Sequence, residues 1–200
     1  MRKLVYGVGI NDVPRVTVDE RKLYVTWTSM LQRAYDPEYK RRFHTYDSVS
    51  VCQEWHTLSV FREWFNKNYV PTWQLDKDLI CIDNDIYSPS MCAFVPRYLN
   101  NLENDSGASR GDLPIGVCYN KQHGKFQSNV SNSGKLKFLG YFDTPEEASL
   151  AHDNAKRAYV LYEIIPRAIE DDVDGRVIES LKRRYKYNKT NIGDKNEVIQ

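Results

Sequence analysis

Three residues at alternate positions, Lys125, Gln127 and Asn129, make the pattern in this 200-residue chain best suited to reading another molecule. Alternate side chains of an extended strand share one face, so this face would carry one cation and two carboxamides. Carboxamides can pair with adenine in the major groove of DNA, and a lysine can reach guanine or phosphate. A second concentration of chemistry is Asp76-Lys77-Asp78, followed by Asp83-Asn84-Asp85. On residue types alone it reads as a surface turn, or as a salt bridge between Lys77 and its neighbours. The run Tyr39-Lys40-Arg41-Arg42-Phe43-His44 is basic and aromatic together, and is either a solvated loop or a surface laid on a phosphate backbone. Gly7 and Gly9 do not make a phosphate loop, because no Lys-Ser/Thr follows them.

The elements that would position these residues follow from periodicity. Trp27, Met30, Leu31 and Ala34 predict a helix over Lys22–Tyr35, stopped by Asp36-Pro37. A second helix is predicted over Leu58–Asn68, with Val60, Phe61, Trp64 and Phe65 inward. Trp73–Ile80 is strand-like, a turn follows at 83–85, and Ile86-Tyr87 is strand-like again. Ser88-Pro89 reads as the start of a partly helical segment that runs to about Leu102 and is interrupted at Pro96. Asn104–Asp112 is Gly/Ser-rich and reads as a linker. Beyond it come three short strands, Ile115–Asn120, Lys125–Ser131 and Leu136–Phe142, with a hairpin turn at 132–134. Phe126, Ser128 and Val130 would face away from Lys125, Gln127 and Asn129. Thr144-Pro145-Glu146-Glu147 then predicts a helix to about Tyr162, its inner face made by Ala148, Ala151, Ala155, Ala158 and Leu161 or Tyr162. Val177, Leu181 and Tyr185 suggest one more helix, with Lys182–Arg184 outside and a frayed end. The resulting fold class is α+β, divided into residues 1–107, 112–165 and a charged helical tail, 166–200.

Composition permits this and limits it. At 41% hydrophobic and 12% aromatic, with fourteen tyrosines and four tryptophans, the chain can fill a core. Net charge is +1, so nucleic-acid binding would have to rest on local patches rather than total charge. Cys52, Cys81, Cys92 and Cys118 show no close pairing of the kind a zinc site uses and sit among apolar or β-prone neighbours. The expectation is four reduced core thiols. No apolar run approaches the length of a membrane span, and the first residues lack a signal-peptide pattern. A cytoplasmic protein without membrane contact is expected.

The rear pattern, Gly116-Val117, Gly124-Lys125-Phe126, Leu139-Gly140-Tyr141-Phe142-Asp143-Thr144-Pro145-Glu146-Glu147-Ala148, Ala151-His152-Asp153 and Ala155, resembles the APETALA2 (ethylene-response-factor) DNA-binding domain. The likeness covers about fifty residues in order. It implies a three-stranded antiparallel sheet packed on one helix and laid in the major groove of double-stranded DNA. By position, the DNA-facing residues would be Cys118 and Asn120, then His123, Lys125, Gln127 and Asn129, then Leu136 and Phe138. Most of the family's arginines and tryptophans are replaced here.

The front pattern, Trp27-x-x-Met30-Leu31-x-Arg33, Cys52-x-x-Trp55, Leu75-Asp76-Lys77-Asp78, Tyr87-Ser88-Pro89-x-x-Cys92 and Phe94-Val95-Pro96, resembles phage-encoded HNH homing-endonuclease-like proteins. The resemblance implies a degenerate HNH (ββα-metal-like) domain. Asp76, Lys77 and Asp78 would stand at the catalytic position, and Asp76, Asn84 and Asn100 around a Mg²⁺ ion. The family's general-base histidine is replaced by Lys77, which would need a pKa several units lower to serve, and flanking aspartates push it the other way. His44 and His56 read as structural or solvent-facing. The resemblance therefore implies either a metal-dependent DNA endonuclease acting in a host cell, or a nuclease-derived protein that binds DNA or a host protein without cutting.

Overall fold

Leu23, Trp27, Met30, Leu31 and Ala34 recur at helical spacing, and helix α1, Arg21–Tyr35, buries all five. The computed structural model describes residues 3–13, 20–102, 112–132 and 134–186. Apart from Asp112, the expected linker lies outside the described residues, as do Ser133 of the hairpin turn and the chain end from 187. The contacts divide the chain into two units, Met1–Asn104 with Val173–Val177, and Asp105–Asp172 with Ile178–Gln200.

In the first unit, Asp36-Pro37 ends α1 and at once starts another helix. Asp36 Oδ1 accepts from the Glu38 and Tyr39 amides at 2.9 and 3.3 Å, and Pro37 suits the first turn, so α2 runs Pro37–Arg42. The basic, aromatic run is thus mostly helix rather than loop. Its Lys40 Nζ donates to the Asp47 and Val49 carbonyls, and Arg41 pairs with Glu38. Helix α3, Leu58–Asn68, packs on α1. Trp27 Nε1 donates to the Trp55 carbonyl at 2.7 Å, so the fully buried indole keeps its polar atom satisfied. Val60, expected inward, is exposed. The buried face is Leu58, Phe61 and Phe65, and Val60 lies about 100° round the helix from Phe61.

Among the described residues, four short strands belong to this unit. Strand β1, Ser50–Val51, pairs in parallel with β3, Ile86–Tyr87, and β2, Gln74–Asp76, pairs antiparallel with β4, Ala93–Val95. The strand-like run from Trp73 yields only three residues, because Asp76 Oδ1 accepts from the Asp78 and Leu79 amides and turns the chain. Ser88-Pro89 starts no helix. The Cys92 amide donates to the Ser88 carbonyl, closing a turn, and the chain then leaves as β4, buried along its length. Pairing with β2 outweighs the local helix signal. Helix α4, Arg97–Asn100, follows Pro96. The segment Val173–Val177 is anchored by Arg176, whose guanidinium binds the Asp174 carboxylate and the carbonyls of Pro89, Ser90 and Cys92 at 3.2, 2.9 and 3.2 Å. That arginine holds the Asp174 carboxyl below the ordinary carboxylate range.

The second unit contains β5, Val117–Asn120, β6, Lys125–Asn132, and β7, Lys135–Phe142, an antiparallel sheet in that order. Helix α5, Pro145–Tyr159, lies against it. Its start is a full capping box: Thr144 Oγ1 accepts from the Glu147 amide, and the Glu147 carboxylate accepts from the Thr144 amide. Ser128 Oγ donates to the Ala148 carbonyl at 2.7 Å, pinning sheet to helix. The inner face of α5 is not a row of alanines. Ala148, His152 and Tyr159 are buried, whereas Ala158 and Tyr162 are exposed, because the face follows four- and seven-residue steps from Ala148 to positions filled by larger side chains. The helical path also continues past Tyr162. Pro166 lacks an amide hydrogen and crowds the preceding turn, and the chain widens into one π-turn at Val160–Ile164 before α6, Ile165–Glu170. The last helix, α7, spans Gly175–Arg184, with Val177 and Leu181 buried and Lys182 and Arg183 exposed.

All four cysteines are free. Burial pushes the Cys92 thiol up to about 12, and Cys52 is half-buried. Cys81 and Cys118 are exposed, on a loop and on the sheet, and are not core thiols. Among the described residues, no helix is long and apolar enough to cross a membrane.

Among the described glycines of the second unit, Gly116 is the most crowded. Its φ is +75°, and a Cβ there would lie 2.2 Å from His152 Cδ2 and 2.5 Å from the Asn129 carbonyl oxygen. Gly116→Ala is expected to cost about 3 kcal/mol or more, read as a lowered urea midpoint. An unchanged midpoint would show that the contact between β5 and α5 is loose.

Candidate nucleic-acid interface and the Asp76 loop

Strand register sorts the side chains of the second sheet. Val117, Ser128 and Val130 are buried toward α5. On the other face, Cys118 stands opposite Gln127 and Gln127 opposite Tyr141, with Asn129 opposite Phe138 and Ser131 opposite Leu136. The sheet therefore brings together Cys118, Asn120, Lys125, Gln127, Asn129, Leu136 and Phe138, with His123 in the adjoining turn. Leu136 is 74% exposed and Phe138 51%, high values for apolar side chains in a strand.

Tyr141 belongs to the same face and is missed by simple alternation. Counting in twos from Phe138 would send Gly140 outward and Tyr141 inward. The pairing shifts between Ser128 and Asn129, however, where Gly140 and then Phe138 are the successive partners, leaving Leu139 as an extra residue. Such a bulge re-aims the side chains beyond it. Tyr141 consequently lies outward, its ring 4.4 Å from that of His123 and 5.0 Å from that of Phe138.

The carboxamides are linked in series. Asn120 Nδ2 donates to Gln127 Oε1 at 3.4 Å and lies 3.5 Å from the Tyr141 hydroxyl, and Gln127 Nε2 donates to Asn129 Oδ1 at 3.2 Å. Asn120 Oδ1 also accepts from the Gln122 and His123 amides, holding the β5–β6 turn. Lys125 Nζ sits 3.0 Å from Asp143 Oδ1, so its charge is partly neutralised. From Leu113 to Phe142 the chain holds Lys121, Lys125, Lys135 and Lys137 and no aspartate or glutamate. Lys121 lies in the turn at one end of β6, and Lys135 and Lys137 lie near the hairpin at the other.

In the first unit, Lys77 and Asn84 grip one another. Lys77, 8% exposed, donates from Nζ to the Asn84 carbonyl at 2.7 Å and to Asp78 Oδ1. Asn84 Nδ2 returns the bond to the Lys77 carbonyl at 2.9 Å and reaches the Ile86 carbonyl at 2.8 Å, while its Oδ1 accepts from the Ile86 amide. Asn100 Nδ2 donates to Gln74 Oε1 at 2.7 Å, tying α4 to β2. Asp76, Asn84 and Asn100 are thus each engaged in holding this loop and its flanking elements. Among the described residues, no three His, Cys, Asp or Glu side chains group as a metal would require. His56 Nε2 lies 3.0 Å from the Tyr35 hydroxyl, and His44 pairs with Asp47 on the surface.

Comparison with family models, with curated proteins and with solved structures yields no match for this chain.

Burial raises the Asp76 carboxyl above its ordinary value, against the backbone amides of Leu79 and Asp78, which lower it. A raised folded-state value means that the carboxylate opposes folding at neutral pH, and that this penalty fades as pH falls through the folded and then the unfolded value. Asp76→Asn, which keeps the accepting oxygen, is expected to unfold at a higher urea concentration than the parent at pH 7. The gap should close toward pH 3.5, about where unfolded Asp protonates. A less stable variant at pH 7 would show that the charge itself holds the turn.

Proposed function

We propose that this protein binds double-stranded DNA through the outward face of β5–β7. The observation that carries the reading is the composition of that face. It presents a linked row of carboxamides beside the exposed side chains of Leu136, Phe138 and Tyr141, with Lys125 as its cation and Asp143, next after Phe142, as the carboxylate that pairs with it. A short antiparallel ribbon suits the width of the major groove, and β6, at eight residues, extends about 26 Å. The resemblance to APETALA2 domains agrees with the helix-backed, three-stranded arrangement.

The front unit is proposed as an HNH-like scaffold. Its support is the order of parts: a strand ending at Asp76, a loop containing Asn84, an antiparallel strand, and a helix carrying Asn100. Binding without cutting is the reading favoured for it. Lys77 Nζ, the atom that would have to accept a proton, is already donating to Asp78 and Asn84. The Asn84 carboxamide is occupied by backbone groups, and Asn100 turns toward Gln74. This donor set does not fit a Mg²⁺ ion.

The direct test is incubation of the full chain with mixed duplex DNA, with Mg²⁺ and with EDTA, followed by native gels and by alkylation of Cys118. Expected are retarded, intact fragments under both conditions, and slower alkylation of Cys118 when DNA is present. Fragments that vanish with EDTA would establish the nuclease reading instead. Retardation without protection of Cys118 would move the contact off the sheet, and no retardation would turn attention to a protein partner. Asp143→Asn should free Lys125 and tighten binding about threefold at low salt, with a salt dependence steeper by about one phosphate contact. Unchanged affinity would remove Lys125 from the contact.

A further inference from the structure

We infer that the outward face of β5–β7 selects A·T base pairs and reads thymine by its C5-methyl group. The inference rests on the proposal that this face binds duplex DNA, and adds the class of sequence it takes. Guanine is recognised chiefly by arginine or lysine presented to its O6 and N7. The cation described on the outward strand positions is Lys125, which Asp143 holds at 3.0 Å. Adenine is recognised by carboxamides, and the centre of the face is Gln127 and Asn129, aligned by the bond from Gln127 Nε2 to Asn129 Oδ1. Thymine differs from cytosine in the groove by its methyl group and carbonyl, and the methyl calls for apolar contact.

That contact surface runs along β7, directly across from the carboxamides. Leu136 faces Ser131, Phe138 faces Asn129 and Tyr141 faces Gln127. Leu136 and Phe138 are 74% and 51% exposed and share the outward face with the carboxamides. Two of the three apolar side chains thus stand directly beside a carboxamide, so that an amide and a methyl-seeking group are offered side by side. Lys135 and Lys137 pair with Asn132 and Val130, on the α5 side of the sheet, and so add no cation to the outward face.

Four 20-base-pair duplexes of equal length decide the matter with the full chain: alternating A·T, alternating G·C, the A·T duplex with every thymine replaced by uracil, and a mixed sequence. Expected is tighter binding to A·T than to G·C, and weakening on uracil substitution of about fourfold for each methyl buried. The double variant Leu136→Ala/Phe138→Ala, whose side chains are exposed and whose loss leaves the core intact, should bind thymine and uracil duplexes alike. Equal binding of all four duplexes by the parent protein would overturn the inference and leave DNA binding standing. No binding to any would overturn both. Equal affinity for the single strands would also overturn it, marking the rings as a stacking platform.

Discussion

What the rear sheet presents to its surroundings depends on the bulge opposite Ser128 and Asn129. Leu139 is the extra residue, and Gly140 beside it takes φ +146°, a conformation closed to most side chains. On the other flank of β6, the Asn129 amide donates to the Gly116 carbonyl at 2.8 Å, and Gly116 itself is wedged against His152. The bulge is therefore held from both sides, by Gly140 within β7 and by Gly116 just before β5. Because the strand period is two, moving the bulge by one residue would invert part of β7. Phe138 and Tyr141 share a face only where the bulge now falls. The aromatic ladder, its alignment with the carboxamides and the contact between sheet and α5 all follow from that position.

The front unit shows a comparable constraint with different chemistry. The chain between β2 and β4 is long, and it is closed by a reciprocal grip: Lys77 holds the Asn84 carbonyl while Asn84 holds the Lys77 carbonyl. A buried ammonium needs several acceptors, and here they come from a neighbouring carboxylate and the loop backbone. The same bonds that make Lys77 compatible with burial commit its nitrogen. Lys77 is, in this geometry, a brace for the loop.

Legibility in the sequence followed the range of the forces involved. Helix α1, helix α3 and the Thr144 cap could be read because burial stripes and capping chemistry are local; α3 ran Leu58–Asn68 as expected. The alternation along Lys125–Ser131 was equally visible, since one strand's two faces need only its own pattern. In the partly helical segment expected from Ser88-Pro89 to Leu102, the part beyond Pro96 is helix, whereas Ala93–Val95 is strand because its pairing partner, Gln74–Asp76, lies far back in the chain. Tyr141 was missed for the same kind of reason: a bulge is a relation between two strands, and glycine at 140 is its only local trace. The inner face of α5 was misjudged by residue type, small side chains being preferred over the positions that geometry selects. Of the front residues, the pairing of Lys77 with Asp78 was anticipated, whereas its bond to the Asn84 backbone has no counterpart in the letters alone.

A chain of net charge +1 cannot hold DNA by bulk electrostatics. If the sheet binds DNA as proposed, the sharing of Lys125 with Asp143 leaves few lysines for phosphate, and the salt-dependent share of the affinity would be small. Whatever attraction remains has to come from contacts that water and counterions do not screen, namely apolar burial and hydrogen bonds to base edges. Those contacts depend on sequence, whereas phosphate contacts do not. On the proposed reading, the weak charge of this surface and the exposed apolar row along β7 are two sides of one arrangement, in which little non-specific affinity would be available and discrimination between bases would carry most of the binding.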